Sequence, residues 1–156
     1  KRLRGFDCRI LYNSPKPKPE IADPIGAEFA DFEVILAKCD FISIHTPLNA
    51  ETRNLFNAET FRKMKRTAIL INTSRGGTVD QEALYDALVS GEIAGAGLDV
   101  TTPEPLPTDH PLLTLPNCLV LPHIASASYA TRAKMAMLAA QNLIAGAKGL
   151  PLPNPI

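Results

Sequence analysis

The sequence has no surplus charge of either sign: sixteen Lys and Arg balance sixteen Asp and Glu, for a formal net charge of 0 with His neutral. No dense Lys/Arg run is present, so a nucleic-acid or anionic-membrane surface is not expected. Long apolar runs are missing too. Nothing approaches the roughly 18 consecutive apolar residues of a membrane span, and no signal-peptide pattern opens the chain. Cysteine is scarce, with Cys8, Cys39 and Cys118 odd in number, far apart and each inside or beside an apolar run. That usage excludes a disulfide framework and fits reduced, packed thiols in a cytoplasmic protein. His, Cys, Asp and Glu nowhere fall at metal-ligand spacing, so no metal is expected.

What is present is a soluble, globular composition, with 46% hydrophobic residues in 156, enough to bury one core. The fourteen prolines gather mainly at 15–24, 103–116 and 151–155, which marks loops and a tail. The opening KRLRG reads as the last turn of a basic helix closed by Gly5. A chain that begins inside an element is expected to be a fragment of a longer one.

Strand and helix patterns then alternate. Cys8–Tyr12, Asp40–His45, Ala68–Asn72, the AGAGLDV run and CLVLP read as strands. Between them lie helical patterns over residues 31–37, after Asn57 as a cap, and after Asp80 as a cap with Gly91 as the stop. A Pro/Lys loop follows the first strand, and a long Ala-rich helix over about Ser128 to Lys148 ends the pattern. DHPLL reads as a helix start with Asp109 as its cap and Pro111 in the first turn. Apolar strands joined by helices predict an α/β fold: a doubly wound parallel sheet covered on both faces, with a long C-terminal helix. Ligands bind at the carboxyl ends of the strands in such sheets. Asn13, Thr46, Arg75, Asp99 and His123 stand at those ends.

An arginine or histidine at a strand tip is more often structural than functional when it stands alone. Here Arg75 is followed by Gly76 and Gly77, which permit a sharp turn and leave room for a guanidinium fork to meet a carboxylate. His123 follows Pro122 and precedes the small residues Ala125, Ser126 and Ala127. Glu104, in the proline-stiffened TTPEPLP, is either a rigid exposed loop residue or a carboxylate that would hold a facing histidine charged and fix its tautomer. Gly91, Gly95 and Gly97 lack G-x-G-x-x-G spacing and sit in a strand, so they read as small residues for close helix–sheet packing.

The ordered motifs HTPL (45–48), INTSRGG (71–77), GLDV (97–100), PEPLP (103–107) and LPHIAS (121–126) strongly resemble the D-isomer-specific 2-hydroxyacid dehydrogenases. TTPEPLPTDHPLLTLPN looks most like their glyoxylate and hydroxypyruvate reductase branch. The resemblance implies a Rossmann-like NAD(P)-binding domain incomplete at its N-terminus, with the phosphate-binding turn and most of the substrate domain preceding Lys1. Residues 1–126 would be the later part of that domain, and 127–156 a helix and tail crossing back to the substrate domain. It assigns Arg75 to the carboxylate and carbonyl of a small 2-oxo acid, His123 to proton transfer at the substrate oxygen, and Glu104 to the partner of His123. Asp99 would bond the nicotinamide carboxamide, and Thr46, Pro47, Thr52, Thr73, Ser74, Ala125 and Ser126 would line the cofactor. Glu104 argues against the formate dehydrogenases, which carry an amide there. A homodimer is implied for the full-length protein.

Cofactor choice follows from the first strand, which ends YNSPKPK without the acid that grips a ribose 2′-hydroxyl. Asn13 and Ser14 can bond a 2′-phosphate and Lys16 or Lys18 neutralise it, which predicts NADP(H) over NAD(H). Two other readings stay open: a dinucleotide-sensing, corepressor-like interaction protein of the same fold, and a catalytically inactive fragment.

Overall fold

The computed structural model describes residues 2–155. In chain order its elements are β1 (Ile10–Tyr12), α1 (Pro19–Ala22), β2 (Ala27–Phe29), α2 (Phe32–Lys38), β3 (Phe41–Ile44), α3 (Ala58–Lys63), β4 (Ile69–Asn72), α4 (Gln81–Ser90), β5 (Gly95–Leu98), β6 (Cys118–Val120) and α5 (Tyr129–Ala147). Every strand pairing is parallel, as β-helix-β alternation requires. Four strands form one sheet in the order β3-β4-β5-β6, and β1 pairs with β2 in a separate ribbon. The register sets Ile44 beside Asn72 and Asn72 beside Leu98. The carboxyl ends of β3, β4 and β5 therefore lie side by side.

The core occupies one face of the four-stranded sheet. Ile42 and Ile44, Leu70, and Ala96 and Leu98 point into it, where they meet Leu36 of α2, Phe61 of α3 and Leu84 and Leu88 of α4. Each large side chain so buried contributes about 1.5–3 kcal/mol. The opposite face is less covered within this chain. It carries Phe41, 66% exposed, and Leu119, 61% exposed.

The local signals hold where partners are close in sequence. Asn57 accepts from Glu59 and Thr60 N–H, and Thr60 returns the bond in a capping box. Asp80 accepts from Ala83 N–H at 3.1 Å, and Gly91 closes α4 at φ 70°. Four expectations need correction. The opening is a 3-10 helix over Arg2–Phe6 in which Gly5 is no left-handed cap; Asp7 takes the positive φ of 53°, and Lys1 lies outside the described residues. The Pro/Lys loop gives way to α1 and β2, which were not anticipated because α1 is four residues and β2 only three, AEF, too short for a pattern to stand out. His110, not Asp109, caps the helical turn Pro111–Thr114, because its ring nitrogen rather than the aspartate reaches the Leu112 N–H. Gly95 serves a backbone rather than a helix: a Cβ there would stand 3.1 Å from the Asn117 carbonyl.

The chain divides into two compact units, one up to Pro122 and one from His123. In the second unit Ser128 caps α5 by accepting from Thr131 N–H at 3.2 Å, and Gly149 takes φ 66° just past its end. The tail folds back through Asn142, whose amide exchanges two hydrogen bonds with the Asn154 backbone, at 3.1 and 3.0 Å. No helix among the described residues is long and apolar enough to cross a membrane.

Candidate active site

The tip of β4 is the most heavily braced turn near the sheet edge. Asn72 is 1% exposed, and its side chain satisfies the turn that follows it. Its Oδ1 accepts from the Ser74 N–H at 3.0 Å and from the Ser74 hydroxyl at 2.9 Å, while its Nδ2 donates to the Arg75 carbonyl at 3.0 Å. The buried Thr78 hydroxyl donates to the same carbonyl at 2.7 Å. Arg75 thus has a fixed backbone and an exposed side chain, whose Nη1 donates to the Ser74 carbonyl at 2.7 Å.

The two glycines after Arg75 are needed for proximity rather than for dihedral freedom. Gly76 does not take a positive φ, which corrects the expected reason for it. A Cβ on Gly76 would stand 2.0 Å from the Thr101 carbonyl oxygen, and one on Gly77 would stand 3.0 Å from Leu48 Cδ2. The loop after β3 is stitched to the same turn by backbone bonds: Asn54 N–H to Gly77 O at 2.9 Å, Phe56 N–H to Thr78 O at 3.1 Å and Asp80 N–H to Phe56 O at 2.8 Å.

Between these two loops lies a cavity of about 710 Å³, lined by His45, Thr46, Pro47, Leu48, Ser74 and Arg75. The Thr46 hydroxyl oxygen is buried there with no hydrogen-bond partner among the described residues. A buried orphan hydroxyl beside a serine and an arginine fits a polar, anionic ligand in the cavity. The sequence reading missed two contributors. His45 lines the cavity and its Nε2 lies 2.8 Å from the Ser43 hydroxyl. Asn72 supports the tip from beneath, and its signal was a polar residue ending a buried strand two positions before a serine.

The other expected residues are spread over several strand tips and loops and the second unit. Asp99 is 4% exposed at the tip of β5, with its N–H on the Asn72 carbonyl at 2.9 Å. Thr73 is exposed beside the cavity-lining Ser74, and Glu104 is exposed on the loop after Thr101. The Thr52 hydroxyl is already engaged, donating to the Pro47 carbonyl at 2.6 Å, so it shapes the loop after β3. At the β1 tip Asn13 Nδ2 donates to the Ala30 carbonyl at 2.9 Å, the Ser14 hydroxyl donates to the Lys16 carbonyl at 2.6 Å, and Lys18 N–H donates to the Tyr12 hydroxyl at 2.9 Å. Lys16 and Lys18 are exposed. His123, Ala125 and Ser126 belong to the second unit, where His123 holds the unusual φ of 54° for a residue with a Cβ.

The ionisable groups with displaced pKa values lie away from the cavity. Hydrogen bonding to Arg9 holds Glu28 below the usual carboxylate range, and Lys63 does the same for Glu59. Burial pushes the Cys39 thiol up and the Cys118 thiol to about 11, as expected of packed thiols. Cys8 departs from that expectation and is exposed.

Comparison with known proteins places this edge in a family. Residues 1–125 match the D-isomer specific 2-hydroxyacid dehydrogenase family over its NAD binding domain. The chain is 52% identical over 155 residues to the human glyoxylate reductase/hydroxypyruvate reductase, covering 99% of itself and 47% of that protein. It is 50% identical over 154 residues to a glyoxylate reductase of Korarchaeum cryptofilum, covering 99% of itself and 46% of the relative. It superposes with a TM-score of 0.90 and 33% identity on the D-lactate dehydrogenase of Lactobacillus jensenii solved with NAD+, over 99% of this chain and 50% of that one. The chain spans about half the length of the curated relatives it matches. With the parallel sheet, the strand-tip cavity and a match that runs through both, the chain belongs to the D-isomer specific 2-hydroxyacid dehydrogenase family.

Proposed function

We propose that the protein carrying this chain reduces a small 2-oxo acid, glyoxylate or hydroxypyruvate, to its 2-hydroxy acid with NADPH. The observation that carries this reading is the Arg75 turn: a guanidinium on a backbone held by Asn72 and Thr78, facing a cavity with an orphan Thr46 hydroxyl. The names of the relatives, glyoxylate reductase and glyoxylate reductase/hydroxypyruvate reductase, supply the substrate class.

Arg75 would take the substrate carboxylate with its planar fork and hold the carbonyl in line. His123 would give a proton to the oxygen as charge develops there. Glu104 would hold the ring of His123 in its charged form and fix its orientation. Thr46, Pro47, Thr73, Ser74, Asp99, Ala125 and Ser126 would hold the dinucleotide, with Thr52 shaping the loop beneath. The nicotinamide, when bound, supplies the hydride to the substrate carbon. Asn13, Ser14, Lys16 and Lys18 would meet a 2′-phosphate, and the residues that follow β1, NSPKPK, include no acid of the kind that grips a ribose 2′-hydroxyl. The reading includes a homodimeric intact protein.

The test is turnover by the purified intact protein, followed by loss of nicotinamide absorbance. Glyoxylate and hydroxypyruvate should both be consumed, with kcat/KM for NADPH about 10- to 100-fold above that for NADH, the range of one or two bonds to a charged phosphate. Saturable dinucleotide binding without turnover of either acid would instead support a sensing protein and refute the enzyme.

A further inference from the structure

Gln81 is the first residue of α4, and the capping of that helix is done by Asp80. The Gln81 side chain is therefore free for another task. Its Oε1 accepts from the Thr102 N–H at 2.9 Å and its Nε2 donates to the Thr102 carbonyl at 2.9 Å. A side-chain amide meeting a backbone unit in both directions behaves like one rung of a strand ladder. The pairing also fixes which way round the amide lies, since a flip would set donor against donor and acceptor against acceptor.

The second Nε2 proton faces His110 Nε2 at 3.3 Å, while His110 Nδ1 lies 3.2 Å from the Leu112 N–H. A neutral imidazole has one accepting nitrogen, so only one of those contacts can be a hydrogen bond at a time. The two bonds to Thr102 carry no such conflict. They form a clamp on the loop that bears Glu104.

The clamp connects two parts of the candidate site. On one side, α4 begins just beyond the Arg75 turn, whose carbonyl is held by Asn72 and Thr78. On the other, Thr101 lies so close to Gly76 that no side chain fits between them, its hydroxyl donates to the Pro103 carbonyl at 2.9 Å, and Glu104 follows. Gly76 against Thr101 sets how near the two loops stand. A flush contact alone still allows sliding, and the directional pair from Gln81 to Thr102 removes that freedom.

We propose that Gln81 is a positioning residue, setting where the Glu104 loop stands relative to Arg75. The inference rests on the reading of Arg75 and Glu104 as parts of one oxo-acid-reducing site. It says that the distance between carboxylate anchor and histidine partner is controlled from a helix start that touches neither substrate nor cofactor.

The experiment compares Gln81→Met, Gln81→Glu and Glu104→Gln in the intact protein. Gln81→Met keeps length and helix propensity and loses both bonds; Gln81→Glu keeps an acceptor for the Thr102 N–H. Gln81→Met should lower kcat about tenfold, within the cost of a small misplacement, leave KM for NADPH within about twofold, and speed hydrogen exchange at the Thr102 amide. Gln81→Glu should fall between it and the unaltered enzyme in kcat. Unchanged kcat in Gln81→Met, with Glu104→Gln strongly slowed, overturns the inference and leaves the proposed function standing. A lowered melting temperature with unchanged kcat of the folded protein assigns Gln81 a merely structural role and also overturns it. Wild-type turnover in Glu104→Gln removes the reading of the site itself, and the inference with it.

Discussion

The tips of β4 and β1 end parallel strands in the same unit, yet they are built differently. At β4 a nearly fully buried asparagine, a buried threonine and a glycine pressed on a neighbouring carbonyl determine one backbone path for Arg75. At β1 the turn is held by exposed contacts of Asn13, Ser14 and Tyr12, and its lysines reach into solvent. Buried polar bonds carry a full desolvation penalty when broken, whereas exposed ones can be replaced by water. The difference is what the proposed roles of the two tips would require. A group that must align a reacting carboxylate needs a single position, and a group that attracts a phosphate needs charge in roughly the right place.

The comparison can be attacked most directly at Arg75. Arg75→Lys keeps the charge and loses the bidentate fork, and should lower kcat/KM for the oxo acid by roughly 10²- to 10³-fold in the intact enzyme. Full activity in that variant would mean that charge alone suffices, and that the bracing of β4 has no catalytic purpose.

Next in size is Gly76→Ala. The new Cβ meets backbone rather than a movable side chain, so the Thr101 loop must shift, at a cost of about 3 kcal/mol. Urea unfolding of the intact protein would show it as a lower midpoint with an unchanged slope. A neutral substitution would show that the β4 turn is as adaptable as the β1 turn. The smallest effect is expected at β1. Replacing Lys16 and Lys18 together by Ala should reduce the NADPH-over-NADH preference about tenfold, or about 1.4 kcal/mol, while kcat with saturating cofactor and the unfolding midpoint stay put. Loss of kcat there would place β1 in the aligning machinery and erase the contrast.

What was legible in the sequence follows the same division between local and distant causes. Asn57, Asp80 and Gly91 act on partners within a turn of themselves, so their capping roles could be read directly. Arg75 could be picked out because an apolar run ending in a charge has a physical meaning once the sheet is parallel. The reason for Gly76 could not, because the Thr101 carbonyl is brought to it by the fold. The same holds for the Gln81 clamp on Thr102 and for the β1–β2 pairing, where Ile10 meets Ala27. The exposure of Phe41 and Leu119 within this chain could not be read for a related reason: continuous apolar strands report that burial is favourable, and not which face obtains it.

The stitching of Asn54 and Phe56 to Gly77, Thr78 and Asp80 has one more consequence. Loops tied by backbone bonds resist moving apart, which favours a cavity already formed before anything enters it. In such a frame a ligand would meet a mould rather than a mouth, with less ordering entropy to overcome. Under the proposed function, discrimination between acids of different size would then fall to the side chains on those walls, and enlarging Leu48, whose end already rests near Gly77, would narrow the mould while leaving those backbone bonds in place.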